Sequence, residues 1–135
     1  NTVFVGGSGL AGYDDAERPV WMAGNVFLDG SEPSTHEEAP VVRPEDDPGL
    51  ELVETRGDVR LRVEVDEAWG AGGPLVTTDL LGEAAVSRKP FKNSDGTPLR
   101  IDTDYAGEQR DPDDPFPGPF ARPVDGTGEW VLWPT

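Results

Sequence analysis

Asp102 and Asp104 stand one residue apart in TPLRIDTDYAGEQRD, the stretch from Thr97 to Asp111. Its alternation reads as a strand, yet strand interiors disfavour Asp, whose short side chain competes with the backbone for hydrogen bonds. On an extended backbone Leu99, Ile101, Thr103 and Tyr105 share one face, and Arg100, Asp102 and Asp104 share the other. Two carboxylates so placed lie about 7 Å apart at their Cα atoms. Three chemistries fit that spacing: an acid–base pair acting on a glycosidic bond, a pair of Ca²⁺ ligands, or a structural ladder neutralised by arginine. Most charge pairs are structural, so the ladder leads, the metal site follows and catalysis comes last. Asp102 and Asp104 are therefore weak metal candidates, and no residue is assigned as catalytic.

The remaining candidates carry less. His36 is the single histidine and sits in SEPSTHEEAP, a polar loop without the serine and carboxylate context of a triad. The doublets Asp14–Asp15, Asp46–Asp47 and Asp113–Asp114 lack the alternating ligands and final Glu of an EF-hand, so solvated charge is the expected reading. GGSG, Gly6 to Gly9, lacks the lysine of a phosphate-binding loop. Trp21, Trp69, Trp130 and Trp133 suit either a sugar-stacking platform or core packing, of which packing is the commoner use. No nucleophile–base constellation emerges, and substrate-binding residues stay unassigned.

What must position these residues is a small domain. The chain has 135 residues, enough for one domain. Its apolar fraction of 35%, with 17 Gly and 14 Pro, points to long turns. Four Trp, five Phe and two Tyr set in apolar patterns argue that a core nevertheless forms. Acidic residues outnumber basic ones 27 to 11, and the resulting net charge of −16 would repel nucleic acid and anionic membrane surfaces. Salt adaptation, coding bias or an extracellular, Ca²⁺-loaded setting each fits that acidity. Cysteine is absent, which excludes disulfides and thiolate metal sites. No run approaches the length of a membrane-spanning segment, no basic-then-apolar leader is visible, and no compartment is favoured. The sequence opens in strand-like NTVFV, so we expect a piece of a longer protein.

The elements read as all-β. VRLRVEV, Val59 to Val65, alternates cleanly, and with LELVE across TRGD it predicts a hairpin. TVFV and VWMAGNVFL are continuous apolar runs, which suit strands covered on both faces of a parallel sheet. LVTTDLLG is either a strand or a helical turn capped by Thr77 or Thr78. NSDGTP should turn AAVSRKPFK back onto PLRIDTDY. Five prolines make Asp111 to Pro123 irregular, and EWVLW closes the chain as a short aromatic strand.

Taken together, NTVFVGG, VWMAGNVFLDGSEPSTHEE, GDVRLRVEV, NSDGTPLRIDTDY, PGPF and WVLW resemble, in that order, the carboxy-terminal part of the β-xylosidases of glycoside hydrolase family 120. The resemblance implies the last rungs of a right-handed parallel β-helix over residues 1–30. Antiparallel hairpins over 31–110 would cap them, followed by a Pro-rich tail with a closing aromatic strand over 111–135. Asn1 and Asn25 would fall at rung turns. DTDYAGEQR resembles the D-x-x-G-x-x-R closing segment of many β-helix proteins, which implies that Asp102, Asp104 and Arg110 lock the cap through an Asp104–Arg110 pair. The family hydrolyses terminal β-xylosyl residues with retention, using an Asp nucleophile and a Glu acid/base, both upstream of the matched segment; no residue here corresponds to them. YAGEQRDPDDPF and His36 follow the family pattern only loosely. The implied partners are the upstream part of the same enzyme or a homo-oligomer, and xylosides in the whole protein, with no cofactor. The competing expectation is a stand-alone acidic β-module that binds Ca²⁺ or carbohydrate.

Overall fold

The computed structural model describes residues 1–70, 73–121 and 126–134. It is an all-β structure in which, among the described residues, a single short α-helix, α1, spans Thr78–Leu81. Three short strands, β1 (Val3–Val5), β3 (Val26–Leu28) and β5 (Val41–Arg43), pair in parallel in the order β1-β3-β5. A second parallel ladder joins β2 (Met22–Ala23) to β4 (Glu37–Glu38). The third sheet is antiparallel, with β6 (Glu51–Glu54), β7 (Asp58–Val65) and β8 (Gly126–Pro134) in sequence order.

The parallel strands stay in strict register: Val3, Val26 and Val41 align, then Phe4, Phe27 and Val42, then Val5, Leu28 and Arg43. Alternation sends the outer positions to one face and the central position to the other. β3 is covered on both faces, and Val26, Phe27 and Leu28 are wholly buried. On one face Val26 and Leu28 join Val63, Val65 and Trp69, with Val3, Val5, Val41, Phe116 and Trp130 packed around them. On the other, the Phe4 and Phe27 rings stack at 5.2 Å. The core is therefore the seam between the parallel sheet and the β7–β8 end of the antiparallel sheet.

The apolar run from Val20 to Leu28 does not form one strand. It breaks at Gly24 (φ +65°), where a Cβ would lie 2.9 Å from the Asn1 side-chain oxygen, so β2 and β3 belong to different sheets. Parallel pairing also continues past residue 30, through β4 and β5 to Arg43. These strands are too short, and too closely flanked by Pro40 and Pro44, to stand out as periodic sequence.

The expected hairpin forms between β6 and β7. β8 then adds along the whole of β7, with one register shift beside Arg60 that leaves Leu132 between the paired residues Val131 and Trp133. Thr77 caps α1 by accepting from the Leu80 N–H, which makes LVTTDLLG a helical turn. The turn at Asn93–Thr97 is present, but PLRIDTDY does not run along AAVSRKPFK. After the Lys92–Pro98 bridge, Arg100 pairs instead with Thr77, and Ile101 donates to the Val76 carbonyl.

Candidate functional site

Residues 101–110 form no continuous strand, so the shared face imagined for Asp102 and Asp104 does not exist. A tight turn links them to Arg110: Thr103 bridges to Gln109, the Asp104 N–H donates to the Glu108 carbonyl, and the Arg110 N–H donates to the Asp102 carbonyl. Asp102 turns its carboxylate to the local Arg100, 3.2 Å away. Asp104 turns the other way. Its Oδ1 accepts from the N–H groups of Ala106 and Glu108, and its Oδ2 accepts from the N–H of Ala121, each at 2.8 Å. Partial burial pushes this carboxyl upward, but the N–H groups of Ala121, Glu108 and Ala106, with the Arg110 charge nearby, outweigh it and hold the group below its usual range.

Arg110 does not form the expected ion pair with Asp104. Its guanidinium donates to three carbonyls, of Thr103 (3.2 Å), Phe116 (2.9 Å) and Gly118 (2.8 Å). Three backbone oxygens in a fan satisfy the planar fork as well as a carboxylate does, without asking Asp104 to give up its backbone donors. Tyr105 adds a fourth tie by donating its N–H to the Pro119 carbonyl. The segment around PGPF is thus fastened at Phe116, Gly118, Pro119 and Ala121, and its Gly118 N–H donates in turn to the carbonyl of Asn1 at the start of β1.

A second polar group ties the parallel strands together. Asn25 is almost fully buried. Its Oδ1 accepts from the Thr2 N–H at 2.8 Å, while its Nδ2 donates to both carboxylate oxygens of Glu37, at 3.0 and 2.9 Å. One side chain so links the segments that lead into β1 and β3 to β4. Glu37 did not stand out in the sequence; the only cue was an Asn following a Gly between two apolar runs.

On the outer face of the antiparallel sheet, Arg60 bonds Asp58 and Glu129, and Arg62 bonds Glu51 and Glu129. The Arg60 hydrogen bond, followed by that of Arg62, holds the Glu129 carboxyl below its usual range. Glu51 and Glu129 are exposed and Asp58, Arg60 and Arg62 are half-buried, and such solvent-reached pairs set register more than stability.

The other sequence candidates separate. The exposed His36 places Nε2 3.2 Å from the Asp14 carbonyl, and Asp14 accepts from the Thr35 N–H, so these residues close a loop. Asp46 accepts from the indole N–H of the buried Trp69, and Trp130 stacks on Phe120 at 4.2 Å, whereas Trp21 and Trp133 are exposed. The tryptophans are split between core and surface. Among the described residues no group of three or more His, Asp or Glu side chains is arranged to hold a metal ion.

Beside the clamped loop lies an apolar cavity of about 220 Å³, lined among others by Val3, Val5, Leu61, Val63, Phe116 and Trp130.

No family model matches the chain, and no curated protein does. A solved structure described as the complex of XylC with xylose superimposes with a TM-score of 0.79 over 93% of this chain, at 22% identity. The likeness is one of fold. The chain spans 23% of the XylC chain, so under a quarter of that molecule has a counterpart here.

Proposed function

We propose that this chain is the carboxy-terminal structural segment of a glycoside hydrolase of β-xylosidase type, and that it supplies no catalytic group itself. The observation that carries this reading is the superposition of 93% of the chain on 23% of XylC, a protein whose structure holds xylose. The reading accords with the family 120 resemblance of the sequence motifs. The two parallel ladders are what successive coils of a parallel β-helix make, with β1, β3 and β5 as one wall and β2 and β4 as another.

The chemistry of the clamp agrees. Retaining hydrolysis needs one carboxylate free to attack the anomeric carbon and a second that carries a proton to the leaving oxygen. Asp104 has both oxygens engaged by backbone donors and is held ionised, so it neither attacks nor donates a proton. Asp102 is paired with Arg100. The work of Asp104 and Arg110 is to fasten the PGPF loop over the end of β1, and the catalytic pair belongs to coils preceding Asn1.

The test is hydrolysis of nitrophenyl β-xyloside and the corresponding arabinoside by the 135-residue chain, beside a version extended by its upstream sequence. Turnover confined to the extended protein supports the reading. Turnover by the short chain overturns it and returns Asp102 and Asp104 as the acid pair.

A further inference from the structure

Residues 83–98, which follow α1, form an arm. Every residue from 85 to 98 is exposed, yet the arm is well tied within itself. Glu83 bridges to Pro90 and Lys92 to Pro98, the Arg88 N–H donates to the Ala84 carbonyl, and the Asn93 N–H donates to that of Thr97. Thr78 Oγ1 fastens the arm to α1, donating to the Phe91 carbonyl at 2.6 Å and accepting from the Leu99 N–H at 2.7 Å. Hydrogen bonds thus order the arm while its apolar side chains stay in solvent: Val86 is 82% exposed and Phe91 43%.

The arm also reverses the charge of the chain. Both lysines of the sequence, Lys89 and Lys92, lie in it beside Arg88. Between residues 85 and 98 they meet a single carboxylate, that of Asp95, which already accepts from the N–H and hydroxyl of Thr97. The chain outside the arm is therefore more acidic than the net −16 of the whole. Among the described residues none of the three cations forms an ion pair. Arg88 moreover holds φ +55°, a left-handed conformation that glycine or asparagine takes at less cost. An exposed turn has no packing reason to keep arginine there, and strain retained at such a position points to a contact made with another molecule.

We infer that this arm docks on the acidic body of a second copy of the chain, where Arg88, Lys89 and Lys92 pair with carboxylates and Val86 and Phe91 are covered. Two copies repel each other as wholes. The arm is where that repulsion changes sign, so it fixes where and in what orientation they meet. Its own hydrogen bonds preorganise it, which lowers the ordering cost of docking. Alone it is smaller than the roughly 20–30 residues a side of a standard interface. A two-fold pair uses it twice, once as arm and once through the surface that receives the other arm, which brings each side into that range. The inference does not rest on the proposed function.

Carbodiimide coupling is the probe, because it joins an amine directly to a carboxylate and the arm holds every lysine of the chain. Isotopically light and heavy copies of the 135-residue chain are mixed and coupled. Links from Lys89 or Lys92 to an Asp or Glu of the other isotope, with a dimer in sedimentation equilibrium, support the site. Arg88→Gln should weaken that dimer about tenfold. Arg18→Gln, which removes the same charge outside the arm, should change it by less than about twofold. Arg88→Gly keeps the result interpretable, since it relieves the left-handed backbone: the fold should keep or gain stability against urea while the dimer weakens. A chain that stays monomeric, links confined to one isotope, or a dimer that Arg88→Gln and Arg18→Gln weaken alike overturns the inference. So do links from the two lysines to the upstream part of an extended version, which would then hold the arm and leave the proposed function standing.

Discussion

Asp104 and Arg110 hold one loop from two sides without joining each other: Asp104 Oδ2 accepts from the Ala121 N–H at 2.8 Å, and Arg110 donates to the Phe116 and Gly118 carbonyls at 2.9 and 2.8 Å. Loops cannot satisfy their own backbone groups through a ladder, and a buried unpaired group is costly. An anion that collects N–H groups and a cation that collects carbonyls divide that task by charge. The D-x-x-G-x-x-R spacing places both at the ends of a single turn.

That arrangement makes the two residues energetically coupled although they form no ion pair. Asp104→Ala and Arg110→Ala should each lower stability by roughly 1–2 kcal/mol, read as urea midpoints at unchanged slope. The double variant should lose less than the sum by about 0.5–1 kcal/mol, because once the loop is released the second tie has nothing left to hold. Strict additivity would show that the loop is held elsewhere.

Acid should act through the same carboxylate. Asp104 is held below its ordinary value of 3.8, as are Asp14, Asp58 and Asp95. A depressed folded value means stability that is complete above the unfolded value and is lost as pH falls through the folded one. Urea midpoints should therefore decline below pH about 4, and less steeply in Asp104→Asn than in the parent. Comparing the two cancels the general relief of charge repulsion that acid brings to so acidic a chain. Identical slopes would remove Asp104 from the acid response.

Gly118 offers a separation of steric from conformational cost. It sits at φ +90°, and a Cβ there would lie 3.1 Å from a Val3 methyl, whereas Gly96 at φ +87° has open space around it. Both alanine variants carry the backbone strain of a left-handed residue, on the order of 1 kcal/mol. Gly118→Ala should lose about 1 kcal/mol more than Gly96→Ala, and it should raise amide exchange at residue 118, whose N–H donates to the Asn1 carbonyl. Equal losses would mean that the loop shifts freely off β1.

Asn25 tests the polar ties between successive strands. Asn25→Ala should cost roughly 1–3 kcal/mol, since it strands the Thr2 N–H and Glu37. Asn25→Asp places a carboxylate against that of Glu37, so it should be weakest at neutral pH and recover as pH falls from about 7 to 5. A midpoint that ignores pH in this range would place Glu37 away from Asn25 in solution.

Much of this architecture can be read without coordinates where one interaction dominates. The β6–β7 hairpin follows from strict alternation, because Val63 and Val65 face the core while Arg60 and Arg62 face carboxylates. The β2–β3 break left only a faint mark, the pair Gly24–Asn25 inside an otherwise apolar run from Met22 to Leu28, and it is the Gly24 backbone that divides the strands. β5 was missed because three residues between prolines carry no periodic signal. At the clamp, Asp104 and Arg110 were visible as types and spacing. Their true partners were not, because backbone groups of Ala121, Phe116 and Gly118 leave no mark in a sequence.

The residues at the β5 edge bear on how far the parallel sheet can grow. A strand laid beyond β5 would meet Pro40 and Pro44, which carry no N–H, and the charge of Arg43. Parallel pairing among the described residues therefore ends at β5, and the chain turns to the antiparallel β6–β7 hairpin for its next layer.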